Sequence, residues 1–174
     1  MVTLKYNEEK DRAYGISGMA VALVIWENDK YLSALNIDGE ADSGIEFTPD
    51  FFMMRNPKSS PRMAWNETVE RFQLISGLLI SNILCRSLVK AREDITPQLR
   101  QEVVRLLREE GRAVADLTDQ EVEAIFSKGF NYFHKIFSHA GIGQLATDLA
   151  DALSRDRRVD RDRMLEILAP LTRM

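Results

Sequence analysis

Residues 65–90 read WNETVERFQLISGLLISNILCRSLVK, and the reading of this stretch decides the fold. At about 100° per residue, Val69, Phe72, Ile75, Leu79, Ile80 and Ile83 fall in one stripe of a helix. Leu74, Leu78, Cys85, Leu88 and Val89 form a second stripe, roughly opposite. A helix with one wet side needs a single apolar stripe, so two stripes call for neighbours on both sides. The stretch is therefore expected to be the central helix of the fold. A membrane crossing fits it poorly. Between Arg71 and Arg86 lie fourteen residues, among them Gln73, Ser76, Gly77, Ser81 and Asn82. At about 1.5 Å per residue they cover roughly 21 Å, against a hydrocarbon layer of ~30 Å.

Upstream, residues 1–17 show little periodicity and read as a flexible arm or a short helix. Gly18 to Trp26 is an unbroken apolar run. Glu27-Asn28-Asp29-Lys30 is turn-like, and Tyr31 to Asp38 alternates, with Tyr31, Ser33, Leu35 and Ile37 on one side. Two such runs around a polar turn predict a β-hairpin, although the alanines and Leu23 of the first run also suit a helix. Ile45 to Thr48 adds a third strand, stopped by Pro49, which has no amide to donate to a ladder.

Downstream the pattern is helical. Thr96-Pro97 reads as an N-cap followed by proline in the first turn, with Gly111 closing that helix. Thr118-Asp119-Gln120-Glu121 is a capping box, and Leu117 and Val122 supply its hydrophobic staple. That helix is expected to run to about His139, with Gly141 and Gly143 breaking it. A short helix over Gln144 to Ser154 and a last one near Asp160 to Leu168 complete the chain. Strands first and helices after argue for an α+β fold. A small antiparallel sheet from the N-terminal third packs on a mainly α-helical C-terminal bundle, with its central helix at about 65–90. One domain covers 1–174: the arm over 1–17, a β-rich part over 18–60 and a helical part over 61–174.

Length and composition support this reading. The chain has 174 residues, 45% of them hydrophobic and 29% charged, which is ordinary for a globular domain with a real core. A net charge of −4 gives no global attraction to nucleic acid. Its distribution is uneven. Residues 27–50 carry Glu27, Asp29, Asp38, Glu40, Asp42, Glu46 and Asp50 against Lys30 alone, whereas residues 55–112 are net basic. Such halves lie against each other within one chain or across a dimer. Cys85 is the only cysteine, so no intramolecular disulfide forms and a reducing compartment is favoured. Met1 to Arg12 is polar and charged, unlike a signal peptide. The expected location is the cytoplasm, with no membrane partner.

Candidate chemistry is thin. Phe126, Phe130, Phe133 and Phe137 share one helix face at spacings of 4, 3 and 4, which core packing explains, at about 1.5–3 kcal/mol for each ring buried. His134 and His139 are five apart, where a helical metal pair wants i and i+4, and no Cys-x-x-Cys accompanies them, so no metal site is expected. Gly141 to Ala146 matches a loose dinucleotide fingerprint, but that chemistry needs a strand before the glycine turn and here a helix precedes it. Gly15-Ile16-Ser17-Gly18 lacks the spacing of a nucleophile elbow. Asp38, Glu40 and Asp42 open like a calcium loop, yet Ser43 stands where glycine is needed and Pro49 where the twelfth-position glutamate belongs. Cys85 lies in an apolar stripe, where a thiol is inert. The Arg155–Arg163 run is interleaved with Asp156, Asp160 and Asp162, which weakens its pull on phosphate.

One feature points outward. Phe51, Phe52, Met53 and Met54 are followed, after a Pro/Ser-rich break, by Met63 and Trp65. Methionines and aromatics in a loop make an adaptable apolar surface of the kind that grips partners. The sequence therefore predicts a non-catalytic interaction or self-assembling module, a homo-oligomer or the holder of a protein partner, with no cofactor. The alternative is a small-molecule-binding protein or enzyme with a pocket between sheet and central helix, for which Gln73, Asn82 and His134 are the nominees.

Overall fold

The computed structural model describes residues 1–39, 44–52 and 60–173, the side chains of Pro61, Met63, Ala64 and Arg173 excepted. Its first regular element corrects the hairpin: α1 (Glu9–Ile25) is a helix, so residues 18–25 are not a strand. Every residue from Ala13 to Val24 is buried, and the unbroken apolar run thus records enclosure on all sides. Buried strands end after about four to eight residues, whereas this enclosed stretch is longer. Gly15 and Gly18 sit inside the helix because α3 crosses it there. A Cβ at Gly18 would lie 2.5 Å from the Ser81 carbonyl oxygen.

After α1, Glu27 takes a left-handed conformation (φ 55°), and a 3₁₀ turn at Asp29–Tyr31 leads into β1 (Leu32–Asn36). β2 (Ile45–Phe47) pairs antiparallel with β1 and stops ahead of Pro49, as the missing amide dictates. Pro49–Phe52 forms the short helix α2. The third strand comes from the far end of the chain. β3 (Arg158–Asp160) pairs antiparallel with β1, giving the order β2-β1-β3. The fold is α+β, a small antiparallel sheet on a mainly helical body.

The helical body is built on α3 (Pro61–Leu84), which widens into a π-helical segment at Cys85–Ala91. Both expected stripes find neighbours. Phe72, Ile80 and Ile83 are buried on one side, and Leu74, Leu78 and Cys85 on the other, but Ile75, expected in the first stripe, lies at its edge and is 50% exposed. By length and composition the Trp65–Ala91 helix could cross a membrane, with mean hydropathy 1.5, but 72% of that window is buried inside the fold.

α4 (Pro97–Ala115) starts as expected, with the Thr96 hydroxyl accepting from the Leu99 amide at 3.2 Å. It runs through Gly111 and ends at Asp116 in the left-handed region; Gly111 is a glycine inside the helix because Val122 and Phe72 press where a side chain would stand. α5 (Asp119–Phe137) opens on the capping box, and its four phenylalanines are buried as core. α6 (Ala140–Asp156) takes Gly141 and Gly143 into its first turn, so these glycines start a helix and do not interrupt the chain. α7 (Arg161–Ile167) is capped by Asp160, and a 3₁₀ turn at Ala169–Arg173 follows.

Candidate functional site

Glycine inside a helix costs about 1 kcal/mol against alanine and so has a local reason. At Gly77 of α3 the reason is Trp26, whose indole packs against the helix at this position. A Cβ at this position would come within 2.0 Å of the ring. The indole packs on Phe133 (centroids 4.7 Å apart) and lies nearly parallel to Tyr132 (6.3 Å, 21°). Gly129 of α5 faces α3 in the same way, its Cβ position 3.2 Å from Ile80 Cδ1. Beside these contacts an open groove of about 580 Å³ lies between α3 and α5, lined by Trp26, Leu74, Gly77, Ile80, Ile125 and Tyr132 together with the small residues Ser76 and Ala124. The volume lies within the roughly 300–1,000 Å³ of ligand and anchor pockets. Glu70, Gln73 and Lys128 stand exposed on the rim. None of these three side chains has a hydrogen bond or ion pair among the described residues.

A second polar centre lies where the N-terminal segment meets the π-helical segment. Asn82, Arg86 and Lys90 recur every four residues, on the narrow edge between the two apolar stripes. Arg86 is fully buried and donates to Asp11 at 2.5 Å and to the Lys5 carbonyl at 2.8 Å. Lys90 reaches Asp11 at 3.4 Å and Glu8 at 2.9 Å. Asn82 donates to the Tyr6 hydroxyl at 2.7 Å, and the Arg86 guanidinium lies 4.9 Å from the Tyr6 ring. Burial raises the pKa of the Asp11 carboxyl, but the Arg86 bond, the Asn7 amide and the charges of Arg86 and Lys90 outweigh it and hold the group below its ordinary value. Burial pushes the Tyr6 phenol upward. Both charges are enclosed and bonded to neighbours, Arg86 through its two terminal nitrogens while its Nε has no partner among the described residues, and the cluster acts as a staple that seats residues 5–11 on α3.

The nominated residues are dispersed. Gln73 lines the groove, Asn82 belongs to the staple, and His134 pairs with Asp94 at 3.2 Å beside a separate cleft that also includes His139. They do not share a pocket between sheet and central helix. Phe51 is buried, stacked on Phe47 at 4.0 Å, whereas Phe52 (68%) and Trp65 (47%) are exposed. Met53 and Met54, and the side chain of Met63, lie outside the described residues. Trp65 donates its indole N–H to the Ala115 carbonyl at 3.2 Å. Among the described residues no three His, Cys, Asp or Glu side chains are placed to hold a metal ion. Cys85 is buried with its thiol pKa pushed up by burial, which suppresses the nucleophilic thiolate.

Sequence reasoning missed Trp26, Lys128 and Tyr132 as groove residues and Asp11 with Arg86 as a pair. The legible signals were the glycines at 77 and 129 within helical patterns, and the Asn82/Arg86/Lys90 spacing. Compared with known proteins, the chain matches no family model, no curated protein and no solved structure.

Proposed function

We propose that this protein is a non-catalytic interaction module that holds a protein partner in the groove between α3 and α5. The observation that carries the reading is the groove itself: an apolar trough lined by aromatic rings, open to solvent, whose rim charges have no partner among the described residues. Aromatic anchors surrounded by polar groups are the usual makeup of a binding hot spot. Phe52 and Trp65 are also exposed, outside the groove. The enclosed thiol of Cys85 fits residence in a reducing compartment such as the cytoplasm.

Ala124→Arg places a long cation in the groove from an exposed helix position and leaves the core alone. Partner capture by chemical cross-linking, and self-association by light scattering, are expected to fall in this variant while its circular dichroism is unchanged. Equal association of variant and parent overturns the reading. A second reading, a small apolar ligand in the same trough, is favoured by the volume of about 580 Å³. A thermal-shift screen in which one compound class stabilises the parent by several degrees, and Ala124→Arg not at all, selects it over the first.

A further inference from the structure

We infer that the groove's occupant is an amphipathic helix of another protein, lying along α3 and α5 with an acidic residue against Lys128 and a basic one against Glu70. This rests on the interaction reading above and names the partner's chemistry. The length fits. The α3 side runs from Glu70 to Ile80 and the α5 side from Ala124 to Tyr132, about 15 and 12 Å at 1.5 Å per residue, or two to three turns of a third helix. The α5 side admits a close approach at Ala124, which is small and exposed, whereas Gly77 and Gly129 are already covered by Trp26 and Ile80.

The backbone argues against an extended peptide. Floor and walls are helices whose amides and carbonyls are bonded within the helix, so a strand laid there would find no ladder partners and would bury its own polar groups unmet. A helix brings its backbone already satisfied, and only its side chains need to match.

A second copy of this chain fits poorly. Among the described residues the exposed large apolar side chains are Met1, Phe52, Trp65, Ile75, Val114 and Tyr132, and no helix carries two of them at i+3, i+4 or i+7. The rim supplies the charge rule. Among the described residues Glu70 and Lys128 are exposed without a hydrogen bond or ion pair, and they set opposite charges on the two sides of the groove.

The test is a displayed library of 14-residue helical peptides, randomised on both faces and selected on the full-length protein. Apolar residues at i, i+3, i+4 and i+7 with an acidic flank are expected to enrich. The winning peptides should bind with saturable change in Trp26 emission in a Trp65→Phe background. Affinity should fall at least roughly tenfold, about 1.4 kcal/mol, on Ala124→Arg. Lys128→Glu should reverse the preference from an acidic to a basic flank. Enrichment no better than on Ala124→Arg, or winners without helical spacing, overturns the inference. Should the peptides fail while Ala124→Arg turns a light-scattering dimer into monomer, the occupant is a second copy: the inference falls and the interaction reading stands. Should only a small molecule stabilise the parent, both fall.

Discussion

Removing one half of the Asp11–Arg86 pair is expected to cost far more than removing both. Each group is enclosed, with exposures of 1% and 0% and a separation of 2.5 Å. Breaking a buried pair strands a charge, at about 3–5 kcal/mol, whereas replacing both partners by apolar residues is often neutral or better. The two single variants should differ. Arg86→Met leaves Asp11 with the Asn7 amide and with Lys90 at 3.4 Å, so its cost falls near the lower figure. Asp11→Leu leaves the guanidinium with only neutral acceptors, the Lys5 carbonyl and Asn82 Oδ1, and its cost falls near the upper one. Total stability for a domain is about 5–15 kcal/mol, so either change is severe. For a chain of this size the midpoint of thermal unfolding should drop by roughly 6–20 °C. The double variant Asp11→Leu with Arg86→Met should recover at least about 2 kcal/mol over the worse single. Urea unfolding followed by circular dichroism measures all four states. A single-variant cost below about 1 kcal/mol, or a double-variant cost equal to the sum of the singles, refutes the account of the staple.

Acid should act on the same pair. The Asp11 pKa is held below its ordinary 3.8 in the folded protein, so its stabilisation is present in full above that value and is lost as pH falls through the lower folded one; Asp11→Asn should flatten this part of the stability profile measured by urea titration at each pH. Gly77→Ala should destabilise by about 1–3 kcal/mol and shift Trp26 emission in a Trp65→Phe background, since the added carbon meets the indole at 2.0 Å; unchanged emission would show that the ring is not seated on α3. Thr118→Ala should cost about 1 kcal/mol through loss of the bond to the Glu121 amide, read by chemical denaturation. The Cys85 thiol should resist alkylation in the folded protein and react fully in urea, and rapid labelling of the native chain would contradict its burial.

Legibility followed the range of the physics. The start of α5 was readable because a capping box is settled within four residues. The two stripes of α3 were readable because periodicity reports burial whatever the neighbour is. α1 was misread because Gly15 and Gly18 carry no local sign of their purpose. They are small so that α3 can cross, a fact held by Ser81, Asn82 and Cys85 far along the chain. Gly141 and Gly143 misled in the same way, being tolerated in the first turn of α6. The Asp11–Arg86 pair joins residues 75 positions apart, and the groove draws on three elements at once. Neither has a signature in any one window of residues.

The strand order carries a consequence for how the molecule comes into being. β1 has its second neighbour only when residues 158–160 arrive, and Arg157 then ties to Asp38 across 119 positions. The β1–β2 ribbon stays without this neighbour along the chain through α3, α4, α5 and α6, which all lie between it and β3. Closing so wide a loop is entropically slow. The late strand therefore makes the sheet depend on both ends of the chain: loss of residues 158–160 would strip β1 of one neighbour and expose structure laid down near the beginning.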